Sequence, residues 1–198
     1  MPQLWILAGP NGAGKSTLAN KYLAGRLPIV NPDVIANALA PTDPHGTQVR
    51  VQAGREAIRS QEGLLAQGVD FAIETTLSGN RELTLMSRAQ DAGYKVNLVY
   101  VGVDTPTTTL GRIAQRVARG GHTVPAADVA RRFARSLSHL AITLIMVDRA
   151  FVLDNTGRRY RLLLSMEYGQ VKRLSRYLPP WAREALPPEL LRSQGRDC

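Results

Sequence analysis

Short apolar runs alternate along the chain with longer segments in which apolar residues recur at helical spacing. The runs are typical of strands buried on both faces, and the clearest is the nearly continuous stretch from Val96 to Val103. This alternation predicts an α/β fold with a doubly wound, mostly parallel sheet of five to six strands flanked by helices. The predicted strands cover residues 4–8, 27–30, 71–74, 96–103 and 150–154, with residues 160–165 pairing with the last of these as a hairpin.

Helices are predicted between these strands by apolar spacing and by start and stop signals. Gly25, Gly68 and Gly93 follow helical segments as stop signals, and Pro106 lies in the first turn of another helix. Two helices on either side of a Gly120-Gly121 turn predict a helical hairpin at about residues 105–146, which we interpret as a lid. The other helices are predicted at residues 18–23, 33–39, 47–67 and 81–92.

The length of 198 residues suits one domain, which we place at residues 1–176. The remaining residues, 177–198, are rich in Pro and charge, and we expect this tail to be partly ordered at best. No apolar window is long enough to span a bilayer, and the first apolar run lacks the basic segment of a signal peptide. The single cysteine, Cys198, excludes a disulfide framework. These features together predict a cytoplasmic protein.

The chain is basic, with a formal net charge of +9, and 21 of its 25 basic residues are Arg. A basic chain suits nucleic acid, a membrane surface or anionic small molecules as partners. Arg favours planar, bidentate contacts to phosphate, although GC-rich coding explains the preference for Arg over Lys at least as well. Charge alone therefore leaves the partner open.

One motif narrows the choice to nucleotide phosphates. It follows the first predicted strand, precedes the first predicted helix and satisfies G-x-x-x-x-G-K-[ST], the P-loop pattern of P-loop NTPases. Glycines let backbone N–H groups approach phosphates closely, and the helix N-terminus adds partial positive charge. Lys15 would reach the β- and γ-phosphates, and the Ser16 hydroxyl would ligate Mg²⁺. The predicted nucleotide-binding residues are Gly9, Pro10, Asn11, Gly12, Ala13, Gly14, Lys15, Ser16 and Thr17.

Acidic residues follow several predicted strands at the same sheet edge as this motif. Asp33 can act as the base for a substrate hydroxyl, or cap the following helix. Glu74 can hold Mg²⁺ through water, bind substrate hydroxyls or be a solvated strand end. Asp154 is equally ambiguous and also suits the start of a hairpin turn. We expect these groups, with Thr75 and Asp104, to meet near the P-loop.

Six arginines surround the Gly120-Gly121 turn and would give the lid cationic walls. Arginines in this place can neutralise charge on a transferred phosphoryl group, whereas for any single one a solvated helix face, with Asp128 and Arg132 as an i,i+4 pair, is the simpler interpretation. His122, in the turn itself, is more typical of a capping or packing residue than of a base. The six are Arg112, Arg116, Arg119, Arg131, Arg132 and Arg135.

The order of these motifs resembles the zeta-toxin family of P-loop kinases over roughly the first 155 residues. After Asp33 the chain departs from the best-known toxins, because it continues with Val34-Ile35-Ala36-Asn37 and lacks their Arg and His-Pro. The matching segments are residues 9–17, Asn31-Pro32-Asp33 with Ile35-Ala36, residues 74–79, residues 112–116, residues 120–125, residues 131–137 and Asp154-Asn155.

The resemblance implies an ATP-dependent kinase that phosphorylates the 3′-hydroxyl of UDP-N-acetylglucosamine, uses Mg²⁺ and is blocked by an antitoxin protein. Carried over by position, Asp33 would be the general base. Three cationic residues would hold the ATP phosphates, namely Lys15, Arg116 and Arg132. Ser16 would bind Mg²⁺, and the substrate would contact Glu74 and Thr75.

Two other interpretations remain open at this point. The net charge of +9 is compatible with a nucleic-acid enzyme or ATPase, but the chain has no recognisable nucleic-acid module, so nucleic acid is not the expected partner. A non-catalytic nucleotide-binding protein is the third possibility, and it is disfavoured because Lys15, Ser16 and Asp33 are all present.

Overall fold

The structure, a computed structural model, describes residues 1–44, 46–118 and 125–192. Strands and helices alternate within these ranges as the apolar pattern predicts. The strands are β1 (Gln3–Ala8), β2 (Ile29–Val30), β3 (Phe71–Thr75), β4 (Lys95–Gly102), β5 (Arg149–Asp154), β6 (Arg161–Glu167) and β7 (Gln170–Leu174). The helices are α1 (Lys15–Tyr22), α2 (Pro32–Leu39), α3 (Thr47–Gln67), α4 (Arg81–Asp91), α5 (Pro106–Val117), α6 (Ala126–Met146), α7 (Pro180–Ala185) and α8 (Pro188–Leu191).

The strands of the described ranges form one seven-stranded sheet in the order β2-β3-β1-β4-β5-β6-β7. The first five in that order are parallel, and β6 and β7 are antiparallel additions at one edge. This confirms the mostly parallel α/β sheet and the predicted hairpin between β5 and β6. The central β4 is buried along nearly its whole length, because helices cover both faces of the sheet.

The strand count exceeds the predicted five to six because β7 was not predicted. It returns from β6 through Tyr168 and Gly169, whose φ angles are +48° and +73°. Two positive φ values are typical of a tight hairpin turn, which usually shows Asn or Asp before Gly. Because Tyr168 occupies the first turn position, the sequence shows no typical turn signal there. The strand β7 is also largely exposed and lacks an apolar run.

Residues 177–192 of the tail, which include α7 and α8, pack against the rest of the chain. Leu178, Trp181, Ala182 and Leu186 are buried in the main core. The Trp181 indole donates a hydrogen bond of 3.1 Å to Asp154 Oδ1, and a Cβ at Gly102 would overlap its ring. The tail therefore contributes to the core. Its few apolar residues pack there, and Trp181 occupies the space that the missing side chain of Gly102 leaves. No helix in the described ranges has the length and apolar character that a membrane span needs.

We expect Trp181→Ala to lower the free energy of unfolding by about 3–5 kcal/mol, because it empties a buried aromatic site and removes a donor from Asp154. Urea denaturation followed by circular dichroism measures this change. Tyr177→Ala, at a ring that is 60% exposed and contacts Arg161, should cost at most about 1 kcal/mol. Equal effects of the two substitutions would contradict a docked tail.

Acid should also weaken the fold at the other end of β4 and β5, where Lys95 and Arg149 contact Glu167 of β6. Hydrogen bonds from Lys95 (2.7 Å) and Arg149 (2.6 Å) lower the pKa of Glu167 from 4.5 to about 2. A lowered carboxyl pKa stabilises the folded state above pH 4.5, and this stabilisation is lost as the pH falls toward 2. The free energy of unfolding, measured with urea, should therefore fall more steeply between pH 4.5 and pH 2 in the wild type than in Glu167→Gln. Glu184→Gln, on α7, should leave the slope unchanged.

Candidate active site

The P-loop motif joins β1 to α1, and its three glycines have backbone angles that other residues rarely adopt. The φ angles of Gly9, Gly12 and Gly14 are +134°, +69° and +101°. A Cβ at Gly9 would overlap the carbonyl oxygen of Val101 on the neighbouring β4. The backbone conformation therefore favours glycine at all three positions, and the closeness of β4 is a second reason at Gly9.

Lys15 is the first residue of α1, and its side chain folds back to contact the P-loop backbone. The side chain is only 7% exposed, and Nζ donates a hydrogen bond of 2.9 Å to the carbonyl oxygen of Pro10. The amide groups of the first helical turn have no acceptors inside the helix, so the start of α1 provides donors beside the ammonium group. This is the arrangement that binds anions at helix N-termini.

A chain of hydrogen bonds connects the start of α1 to the start of α2. Ser16 Oγ donates to Glu74 Oε1 (2.7 Å), and Asn31 Nδ2 donates to Glu74 Oε2 (2.8 Å). Asn31 Oδ1 in turn accepts a hydrogen bond from the backbone N–H of Asp33 (2.8 Å). Glu74, at the end of β3, therefore contacts the P-loop helix with one oxygen and the residue that caps α2 with the other.

These contacts remove one of the two interpretations of Asp33. Asn31, and not Asp33, is the N-cap of α2, and Asp33 lies in the first turn of that helix with an exposed side chain. The capping alternative is thus wrong, because the Pro32 that separates the two residues already occupies the first helical position. Asp33 instead is one of the residues that line a cleft.

The cleft has a volume of about 400 Å³ and lies between the P-loop, the ends of β2 and β3 and four helices. It brings together six of the predicted site residues, Asn11, Lys15, Asp33, Glu74, Thr75 and Arg132, and Ser16 reaches it through Glu74. Asp104 and Asp154 were expected at the same place but do not line it. Sequence reasoning did not single out its other polar lining residues, which include Arg50, Gln61, Arg81 and Glu82.

Asp154 has structural partners that explain its absence from the cleft. Its carboxylate accepts hydrogen bonds from Trp181, from Thr156 Oγ1 (2.7 Å) and from Arg161 (3.3 Å). It lies at the start of the β5–β6 turn, as the hairpin interpretation predicts. Its carboxylate therefore serves the turn and the docked tail.

The loop after β3 is shaped by the Thr75 side chain. Thr75 Oγ1 donates to Glu82 Oε1 (2.6 Å) and accepts a hydrogen bond from the backbone N–H of Leu77 (3.0 Å). Leu77 is fully buried and has a φ of +55°, which a non-glycine residue adopts only where its surroundings enforce it. Thr75 thus connects the strand end to α4 beside the cleft, and its hydroxyl is already engaged there.

The arginines of α5 and α6 divide by their contacts. Arg132 lines the cleft, whereas Arg131 forms an ion pair of 2.7 Å with Asp128, so the expected Asp128–Arg132 pair is wrong. Arg112 does not line the cleft and donates to backbone oxygens of the P-loop and of the β5–β6 turn. Arg135 is exposed. The Arg116 side chain, Arg119, the Gly120-Gly121 turn and His122 lie outside the described residues.

The donor set beside Lys15 fits Mg²⁺ and does not fit a softer metal. No cluster of three or more His, Cys, Asp and Glu residues occurs within the described ranges. Mg²⁺ is usually held by one or two protein oxygens, with water and phosphate completing its shell. The Ser16 hydroxyl and the Glu74 carboxylate, 2.7 Å apart, supply oxygens of this kind.

Comparisons with known proteins agree with this fold. An uncharacterized protein of Haemophilus influenzae is 34% identical over 127 residues, which cover 61% of this chain and 89% of that protein. A chain of the AvrRxo1-ORF1:AvrRxo1-ORF2 complex superimposes with a TM-score of 0.69 at 21% identity, over 87% of this chain, and the match spans only 60% of that chain. The same complex with ATP gives a TM-score of 0.68 at 20% identity and the same coverage.

The PezAT toxin-antitoxin system of Streptococcus pneumoniae provides a further structural match. It superimposes with a TM-score of 0.62 at 17% identity, over 83% of this chain and 72% of that chain. At such identities these structures show a shared α/β fold and no more than that. A protein-family model described as AAA domain matches residues 4–140, more than half of the chain. The chain therefore belongs to this AAA domain family and has its P-loop NTPase-like α/β fold.

Proposed function

We propose that this protein is an ATP-dependent kinase that transfers the γ-phosphate to a hydroxyl of a small molecule, with the 3′-hydroxyl of UDP-N-acetylglucosamine as the acceptor. One observation supports this most directly. One cleft is lined by the P-loop lysine Lys15, by the exposed Asp33 in the first turn of α2 and by Arg132 of α6. Phosphoryl transfer needs these three elements, because it depends on positioning and charge stabilisation around in-line oxygens.

The nucleotide side of the cleft consists of the P-loop and the lid. Backbone N–H groups of residues 9–17, Lys15 and Arg132 bind the triphosphate, and Arg116 of α5 is a further proposed phosphate-binding residue. Ser16 and Glu74 would hold Mg²⁺, and the bound ion would supply positive charge beside the phosphate oxygens. The AvrRxo1 complex has been crystallised with ATP, which supports ATP as the nucleotide.

The acceptor side supplies the base. Asp33 takes the proton from the acceptor hydroxyl as its oxygen bonds to the γ-phosphorus, while the bond from that phosphorus to the β–γ bridging oxygen breaks and ADP leaves. Lys15 and Arg132 stabilise the negative charge that the transferred group and the leaving oxygen share. The hydrogen-bond chain through Glu74 and Asn31 fixes the first turn of α2, and therefore the carboxylate, relative to Ser16.

The lining of the acceptor side suits a polar acceptor with an anionic group. It includes Arg50 and Gln61 of α3 and Arg81 and Glu82 of α4. Guanidinium groups bind phosphates bidentately, and an amide with a carboxylate can bind sugar hydroxyls. A nucleotide sugar combines a diphosphate with hydroxyl groups, which is the chemistry this lining matches. The likeness to the PezAT toxin-antitoxin system supports a zeta-type toxin with an antitoxin partner that covers the nucleotide site.

A transfer screen tests the kinase proposal and the base together. ATP, Mg²⁺ and a panel of nucleotide sugars, nucleosides and a short RNA are incubated with the protein, and products are identified by mass. Asp33→Asn should lower kcat about 10²–10⁴-fold, because it removes the base, while ATP affinity stays unchanged. The control is Asp91→Asn, at the exposed end of α4, which should leave both kcat and ATP affinity unchanged.

Each outcome of the screen has a distinct meaning. Undiminished transfer by Asp33→Asn would rule out the base. Collapse of transfer with an acceptor other than UDP-N-acetylglucosamine would keep the base and exclude the proposed substrate. The absence of any phosphorylated product from the wild-type protein would refute the kinase.

The role of Arg132 is tested by a substitution that keeps its charge. Arg132→Lys should lower kcat about 10²-fold, because an ammonium group cannot reproduce the planar fork that contacts two phosphate oxygens. The control is Arg131→Lys on the same helix, where the side chain pairs with Asp128 outside the cleft. Steady-state kinetics at saturating ATP measure both. If the two variants behave alike, Arg132 belongs to a solvated basic face.

A further inference from the structure

Three successive carbonyl oxygens of the P-loop accept hydrogen bonds from side chains of distant elements. Asn155 Nδ2 donates to the oxygen of Ala13 (2.8 Å), and Tyr160 Oη donates to the oxygen of Gly14 (2.8 Å). Arg112 Nη1 lies 3.4 Å from the oxygen of Gly12. We refer to Arg112, Asn155 and Tyr160 as the carbonyl brace; none of them belongs to the P-loop motif.

The last glycine of the motif is what admits two of these side chains. A Cβ at Gly14 would lie 2.6 Å from Asn155 Nδ2 and 2.7 Å from Tyr160 Oη, closer than real Cβ contacts allow. The residue also has a φ of +101°, which disfavours any side chain. The glycine that precedes Lys15 is therefore matched to the β5–β6 turn as well as to the conformation of its own loop.

Two residues of the carbonyl brace, Arg112 and Asn155, also contact each other. Arg112 Nη2 donates to the carbonyl oxygens of Asn155 (2.6 Å) and Thr156 (3.2 Å), so the lid helix α5 fixes the same turn that fixes the P-loop. Burial raises the pKa of the Tyr160 hydroxyl, which therefore remains a protonated donor at neutral pH. Each of the three groups is a donor, and each contacts a backbone acceptor.

The direction of these bonds matters because a peptide group carries its N–H and C=O on opposite sides. Holding the carbonyls of residues 12–14 outward turns the N–H groups that follow them toward the inside of the loop, where phosphates bind in loops of this kind. A glycine-rich segment loses much conformational entropy when it is ordered, and this cost lowers affinity unless the segment is ordered in advance.

We propose that Arg112, Asn155 and Tyr160 are positioning residues that preorganise the P-loop for nucleotide phosphates from outside the motif. This inference rests on the proposed binding of ATP, but the shape of the free loop is a property that can be measured without ATP. The brace touches no reacting atom, so it should affect the binding of nucleotide more than the chemical step at saturation.

The test compares two tyrosines that each donate to backbone carbonyls. Tyr160→Phe removes the hydroxyl bound to Gly14. Tyr94→Phe, the matched control, removes a hydroxyl bound to the oxygens of Leu64 and Val69 at 3.0 Å each, far from the P-loop in sequence. Asn155→Ala is the second brace variant and remains informative if Tyr160→Phe folds poorly.

Two measurements are made on each variant. Hydrogen–deuterium exchange of the ligand-free protein, followed in peptides spanning residues 9–17, should be about three- to tenfold faster in Tyr160→Phe and Asn155→Ala, because each loses one hydrogen bond. Calorimetric titration with ATP and Mg²⁺ should show a Kd raised by a similar factor, with kcat at saturating ATP within about twofold of the wild type. Tyr94→Phe should alter neither the exchange of these peptides nor the Kd.

The outcomes separate this proposal from the proposed kinase. Faster exchange together with weaker ATP binding supports the brace. Faster exchange with an unchanged Kd overturns its role in nucleotide binding, and unchanged exchange in both brace variants overturns the brace itself. A wild-type protein that binds no ATP refutes the proposed function, and in that case the exchange data alone decide whether these side chains hold the loop.

Discussion

The parallel pairing of β1 with β3 is the constraint on which the rest of the site depends. Its register places Leu7 beside Glu74 and Ala8 beside Thr75, so the P-loop and the acidic strand end leave the sheet next to each other. The Ser16–Glu74 hydrogen bond of 2.7 Å follows from that register. A slip of one residue would turn the Glu74 side chain to the other face of the sheet, because side chains alternate along a strand.

Glu74 also explains why the P-loop and the start of α2 line one cleft. Its two oxygens contact side chains that begin two different helices, Ser16 of α1 and Asn31 at the cap of α2. The apolar strands carry these helices to the same edge, but hydrophobic burial is not directional and would not set distances between their polar ends. The Glu74 carboxylate and its partners set these distances, since hydrogen bonds form only within a narrow range of length and angle.

The sequence predicts what depends on local pattern and misses what depends on distant packing. Apolar runs locate the parallel strands, and the rule that strand ends share an edge brings Lys15, Asp33 and Glu74 to one cleft. The apolar pattern cannot show that Trp181 fills the space left by Gly102, because the two are distant in the chain. Arg112 is misjudged for the same reason. It belongs to a basic helix face by spacing, yet its partners are backbone oxygens of another segment, which no residue type signals.

The charges around the cleft bear on the choice between a small acceptor and a long polyanion. Among the described lining residues four are basic (Lys15, Arg50, Arg81 and Arg132) and three are acidic (Asp33, Glu74 and Glu82). A groove for nucleic acid gains affinity from uninterrupted positive charge, because each neutralised phosphate releases counterions. Carboxylates in the same lining would repel a continuous phosphate backbone, whereas they suit a metal ion or a substrate hydroxyl. The net charge of +9 is therefore mostly located outside the cleft. The mixed lining inside it favours a small substrate with separate anionic and hydroxyl groups.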